Sequence, residues 1–220
     1  YNAAIGVGKD SLNVYSVAAD LSAKGMAIGV ATTVPINHAT PAAFYAHNIS
    51  RHNYDSIAPW MLRAGYDFYA GGDVKGSNET RSMVYGNAEK MGYTISRGYN
   101  DFCNKAGSAQ KMMLFQENVA TELPYAINRT NDDLTLAQIT AAGIEFLEKK
   151  SKKGFFMMIE GGKIDYAAHN DDGATVFQEV QDLNAAVAVA YEFYKEHKDE
   201  TLIIVTADHE TGGLVLGYRG

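Results

Sequence analysis

Gly154-Phe-Phe-Met-Met-Ile-Glu160-Gly-Gly-Lys-Ile-Asp165-Tyr-Ala-Ala-His169 is the stretch on which the architecture turns. The residues from Phe155 to Ile159 are all apolar, lead into a carboxylate and stop at two glycines. An apolar run without alternation suits a strand covered on both faces, as in a parallel sheet. The pattern then changes to an i, i+4 pair, Asp165 and His169, which shares one face of a helix. The same grammar recurs in Thr201-Leu-Ile-Ile-Val-Thr-Ala-Asp208-His209-Glu-Thr-Gly-Gly213. Further outward, strands are predicted at Met26–Thr33, Tyr66–Gly71, Tyr93–Ser96 and Lys111–Gln116, in addition to Phe155–Glu160 and Thr201–Thr206. Helical patterns fall at Ser11–Lys24, Pro41–Arg51, Ser56–Ala64, Asn78–Met91, Leu134–Lys150 and Gly173–Lys195. Thr135 and Gln138 have the spacing of a capping box, and Val180, Leu183, Val187, Tyr191 and Tyr194 recur at helical spacing. Phe102–Arg129 is the least periodic stretch and reads as a loop excursion. The alternation of strands and helices predicts an α/β fold, a three-layer α/β/α sandwich with a mostly parallel central sheet.

The 220 residues suit one domain spanning 1–220, with 46% apolar and 20% charged residues. A formal charge of −7 argues against a nucleic-acid partner. It leaves anionic substrates open, because bound metal ions reverse a local field. The single cysteine, Cys103, excludes a disulfide framework and a cysteine-rich zinc site. No apolar run has the length of a membrane span, and no signal-peptide pattern is present. The chain opens at Tyr1 in mid-phrase, and Gly213-Leu-Val-Leu-Gly217 reads as strand close to Gly220. We therefore expect a piece of a longer protein, incomplete at both ends.

In a parallel sheet the carboxyl ends of the strands share one edge, where ligands bind. Glu160, Asp208 and His209 should converge there, beside Asp165 and His169. Carboxylate with imidazole is a ligand set suited to zinc. Two such pairs on one edge point to two metal positions, an arrangement that can clamp both oxygens of an in-line phosphoryl displacement. Each pair alone is more often a helix cap or an exposed ion pair than a metal site. Their joint occurrence at strand ends favours the metal site. Asn37-His-Ala-Thr-Pro-Ala-Ala-Phe-Tyr-Ala-His47 also follows a strand. Thr40 before Pro41 is placed as a helix N-cap, and Arg51 would close that helix. There Arg51 either complements the helix dipole or, near metals, forks around phosphate oxygens.

Three segments together resemble the alkaline phosphatase family. Thr32-Thr-Val-Pro-Ile-Asn-His38-Ala-Thr40 through Arg51 resembles its magnesium and phosphate-arginine segment. Gly154 through His169 resembles its magnesium-glutamate and first-zinc segment, and Val205 through Gly213 its second-zinc segment. The resemblance covers essentially the whole chain. It implies an alkaline-phosphatase-like fold and a phosphoric monoester hydrolase that uses two zinc ions, one magnesium ion and a phosphoserine intermediate. By residue, it implies Thr40 and Glu160 as magnesium ligands and His38 in the shell around magnesium. Arg51 would hold the substrate phosphate, Asp165 and His169 the first zinc, and Asp208 and His209 the second. It implies small phosphomonoesters and inorganic phosphate as partners, a homodimer, and a periplasmic or extracellular location.

The chain departs from that pattern. The family's nucleophilic serine would lie upstream of the segment that Tyr1–Gly8 resembles, and Asp10-Ser11 falls too late to replace it. A bridging aspartate upstream and a zinc histidine downstream are also outside the sequence. Each zinc site then keeps two protein ligands, so this chain alone is expected to be inactive. Two other readings stand beside this one: a related phosphodiesterase or phosphomutase, and a non-catalytic module that binds metal or phosphate.

Overall fold

The computed structural model describes residues 3–118 and 120–213. Its centre is a five-stranded sheet, every pair parallel, in the order β3-β4-β2-β1-β5. The strands are β1 (Ala27–Pro35), β2 (Phe68–Gly72), β3 (Tyr93–Arg97), β4 (Lys111–Phe115) and β5 (Phe155–Glu160). Side chains that alternate along each strand feed two separate cores. Ile28, Val30, Tyr69, Met113 and Phe115 face one way. Ala27, Ala31, Phe68, Ala70, Met112 and Leu114 face the other. Both faces are thus covered, which is why these strands read as continuous apolar runs.

The first layer of helices holds α1 (Val17–Ala23), α2 (Ala39–Ala42), α3 (Tyr54–Ile57), α4 (Trp60–Ala64) and α5 (Asn78–Lys90). The opposite layer is built from α6 (Gly98–Lys105) and α7 (Leu136–Glu148). Against them lie α8 (Lys163–His169) and α9 (Gly173–Glu196), with α9 packed along α7. The chain steps from β1 to β2 and β3 through the first layer, then returns through the second to β4 and β5. From β1 it therefore leaves toward one face, and from β5 toward the other. The carboxyl ends of these two neighbours flank the crevice where doubly wound sheets bind ligands.

Local signals account for the helix ends. Thr135 and Gln138 form the anticipated capping box, the Thr135 hydroxyl accepting from the Gln138 amide at 3.1 Å and the Gln138 side chain accepting from the Thr135 amide at 3.0 Å. Ser16 and Ser77 cap α1 and α5 in the same sense. The helix expected over Ser56–Ala64 is divided at Pro59, and the one expected over Ser11–Lys24 starts at Val17. The stretch 102–129 holds the end of α6, strand β4 and two short 3-10 turns around its loops.

Three expectations require correction. Thr201–Thr206 forms no ladder among the described residues, and Leu202, Ile204 and Val205 are exposed. An apolar run supplies strand propensity, but a strand exists only with a partner. The helix expected over Pro41–Arg51 is one turn, Ala39–Ala42. Past it the backbone is captured by the N-terminal segment: Ile5 and Asn48 exchange hydrogen bonds at 2.8 Å, and the Arg51 amide donates to the Ala3 carbonyl at 2.8 Å. His38 rather than Thr40 then occupies the N-cap, without a side-chain capping bond. Leu214-Val-Leu216, within the terminal strand-like run, lies outside the described residues.

Candidate active site

Glu160 ends β5 and stands level with Thr32 of β1 in the parallel register. The Thr32 hydroxyl donates to Glu160 Oε2 at 2.5 Å and accepts from the Val34 amide at 3.2 Å. On its other side, β1 meets β2 so closely that a Cβ on Gly71 would lie 1.7 Å from the Thr32 carbonyl oxygen. Gly71 has φ +126°, a conformation costly for any L side chain. Only glycine lets the two strands close at the point where Thr32 reaches Glu160.

Past the turn at Gly161-Gly162, the Lys163 amide donates to Thr33 Oγ1 at 3.1 Å, which docks the start of α8 on β1. Asp165 and His169 then share one face of α8, with His169 Nε2 3.5 Å from Asp165 Oδ1. The segment from 208 to 213 folds back onto this helix. Thr211 Oγ1 donates to Asp165 Oδ1 at 2.7 Å and lies 3.1 Å from His209 Nδ1. His209 Nε2 in turn is 3.3 Å from Asp208 Oδ2. One chain of contacts thus runs from His169 through Asp165, Thr211 and His209 to Asp208.

Electrostatics tie this chain to Glu160. Burial pushes the Glu160 carboxyl above its ordinary range, outweighing hydrogen bonds from Thr32 and Thr40, and the Asp208 and Asp165 charges push it further. A desolvated carboxylate among two others is the environment a divalent cation relieves. Opposite, Arg51 Nη2 lies 3.2 Å from His38 Nε2. Burial, then the charges of Arg51 and Lys75, lower the His38 pKa to about 4, so its ring is a neutral acceptor for the guanidinium above that pH. His38 Nδ1 is buried without a protein partner among the described residues. The Tyr166 ring meets His38 edge-on at 5.7 Å, and burial raises its hydroxyl pKa.

The residues singled out from the sequence therefore assemble in part. Asp165 and Asp208 lie within electrostatic reach of Glu160, with Thr40 at Glu160 and Arg51 on His38. His169 and His209 are exposed and touch the crevice through their carboxylate partners. Among the described residues, no three His, Cys, Asp or Glu side chains lie close enough to hold one ion. The donor set fits divalent metals as pairs: hard and borderline O and N donors, a crowded desolvated carboxylate, and an orphaned imidazole nitrogen. Sequence reading gave no role to Thr32, Thr33 or Thr211. Two threonines interrupting the apolar run of β1 were the visible signal for the first two.

Fold and crevice define the class: a doubly wound α/β protein with carboxylates, imidazoles and a guanidinium at its switch point. The alkaline phosphatase family model matches residues 1–75 and 72–219, and the chain belongs to that family. It is 36% identical to alkaline phosphatase 4 of Bacillus subtilis, over 100% of this chain and 48% of that protein. With the alkaline phosphatase of Escherichia coli it shares 31% identity, over 95% of this chain and 54% of that protein. The chain thus spans about half the length of the curated relatives it matches. The solved alkaline phosphatase of the Antarctic bacterium TAB5 superposes with TM-score 0.86 at 35% identity, over 97% of this chain and 62% of that one. A variant of the TAB5 enzyme has been solved with magnesium bound. Among the described residues no helix is long and apolar enough to cross a membrane.

Proposed function

We propose that the whole protein hydrolyses small phosphomonoesters by alkaline-phosphatase chemistry, with two zinc ions and one magnesium ion, and that this chain by itself does not turn over. The observation that carries the reading is the desolvated Glu160 carboxyl, held by Thr32, beside Asp165 and Asp208. In this reading residues 1–220 are one partial α/β domain. Thr40 and Glu160 would hold magnesium, Asp165 and His169 the first zinc, and Asp208 and His209 the second. When bound, these ions supply fixed positive charge where negative charge develops during phosphoryl transfer.

The chain's own residues would do the rest. Arg51 is a planar fork suited to two phosphate oxygens. His38, neutral above about pH 4, orients that fork by accepting from it. Thr32 fixes one Glu160 oxygen, with Thr40 beside the same carboxyl. Thr211 holds Asp165 and touches His209, which links the two zinc pairs. A serine nucleophile forming a phosphoserine would come from outside these 220 residues. Export to the periplasm or the cell exterior, and a homodimer, belong to the same reading. A non-catalytic module that binds metal or phosphate is the second reading for the chain alone, favoured by the two Asp/His pairs and the Arg51 guanidinium of the crevice.

The test is an aryl phosphate turnover assay with elemental analysis of the purified, zinc- and magnesium-treated chain. Bound metal without turnover is expected. Robust turnover would refute the inactivity of this chain. Absence of any bound divalent ion would refute the metal assignment.

A further inference from the structure

Helix α8 is seven residues long, and Gly162 at its N-cap offers no side-chain hydrogen bond. A helix that short is marginal by itself, so outside contacts must set the place of Asp165. Besides Thr33, Thr211 and α9, residues 120–129 supply such contacts as a strap across the carboxyl edge of the sheet. The Asp73 amide donates to the Ala120 carbonyl at 3.2 Å, and the Leu123 amide to the Thr33 carbonyl at 3.0 Å. The far end of the strap is fastened to α9. The Ala126 amide donates to Glu179 Oε1 at 2.6 Å, and Arg129 Nη1 pairs with Asp182 Oδ1 at 2.6 Å, where both side chains are only 8% exposed.

Lys163 joins this strap to α8. Its side chain is 5% exposed, its ammonium lies 3.3 Å from Glu122 Oε2, and it sits 3.7 Å above the centre of the Tyr125 ring. Removing an ammonium from water is costly, and one ion pair seldom more than repays it. A buried lysine here is better explained by geometry than by stability. From Lys163 the contacts continue to the Tyr166 ring at 5.8 Å, from there to the His38 ring at 5.7 Å, and so to Arg51.

We propose that Lys163, clamped by the 120–129 strap, is a positioning residue that sets α8 so that Asp165 and Tyr166 face the crevice opposite Arg51. The role in metal binding rests on the metal reading given above; the mechanical role does not. Three variants of this chain test it: Lys163→Met, which keeps the stem and removes the charge, Lys163→Arg, which restores it, and Glu122→Gln on the half-exposed strap side. Amide hydrogen exchange at residues 161–169 is compared with exchange in β1, and cobalt(II) affinity is followed by its visible absorption.

In Lys163→Met, exchange across α8 should quicken by roughly tenfold while β1 changes by less than about twofold, the pattern of local opening. Cobalt affinity should fall by about tenfold, at the low end for loss of a group that orients ligands. Lys163→Arg should recover most of both effects, and Glu122→Gln should show a weaker form of the same pattern. If Lys163→Met fails to fold, Glu122→Gln decides by the same comparison. Unchanged α8 exchange, or equal acceleration in α8 and β1, overturns the strap. Cobalt binding by the unaltered chain is expected; its absence overturns the metal reading, while the exchange comparison still decides the strap.

Discussion

Replacing Arg97 by methionine should expose how much of the sheet edge depends on one ion pair. Arg97 Nη1 lies 2.9 Å from Asp73 Oδ2; the Asp73 side chain is 1% exposed and that of Arg97 27%. Oδ1 of Asp73 already accepts from the Val74 amide at 2.6 Å and from the Tyr85 hydroxyl, whereas Oδ2 has no hydrogen-bond partner among the described residues beyond this ion pair. At an effective dielectric of about 20, unit charges so close attract by roughly 6 kcal/mol. Partial exposure of the guanidinium reduces that figure. Breaking buried pairs costs about 3–5 kcal/mol, and the two remaining donors to Asp73 place the expected loss near ~3 kcal/mol. With a urea slope of about 2–3 kcal/mol/M, the midpoint should drop by about 1 M. Asp73→Asn combined with Arg97→Met removes the stranded charge and should return stability to within about 1 kcal/mol of the unaltered chain. Equilibrium urea denaturation followed by far-UV circular dichroism reads both. A midpoint unmoved by Arg97→Met, or a double variant as unstable as the sum of its singles, would refute the reasoning.

Thr135→Ala removes one arm of the capping box on α7 and should cost about 1 kcal/mol, read as a lowered thermal midpoint. Gly71→Ala must place a Cβ against the Thr32 carbonyl from a positive-φ backbone; we expect loss of several kcal/mol or of soluble protein altogether, measured by expression and denaturation. Burial, outweighing the Ala126 amide and the Arg129 charge, raises the Glu179 carboxyl above its ordinary 4.5. Glu179 therefore favours folding below that value, and the contribution is lost as pH rises through the folded pKa. Glu179→Gln keeps the neutral form at every pH, so the stability it adds relative to the unaltered chain should be larger at about pH 7 than at about pH 4, in urea titrations at both.

All five strands of the sheet were legible, four as largely apolar runs packed between helical layers and β3, Tyr93-Thr-Ile-Ser-Arg97, as an alternating one. The capping box at Thr135 and Gln138 was legible because it is local. What the sequence concealed depends on distant partners. Thr201–Thr206 has the composition of a strand, but nothing in it says which neighbour it needs. Ala43–Arg51 has helical spacing, but Ile5 and Ala3 take its backbone into bridges instead. At the site, the i, i+4 pair on α8 could be read from spacing alone. The hydroxyls of Thr32 and Thr211 could not, because they act across 128 and 46 residues of sequence.

The bare run Leu202-Ile-Ile-Val205 also bears on handling. Strand-forming residues that join no ladder among the described residues, in a chain whose β5 pairs only with β1 among those residues, are an adhesive surface. Two copies could zip together there into intermolecular sheet. Charges stand guard on both sides, Lys198, Asp199 and Glu200 before the run and Asp208 and Glu210 after it. Neutralising the acidic members by acidification removes that electrostatic guard, so turbidity should grow with protein concentration in acid before it does at neutral pH.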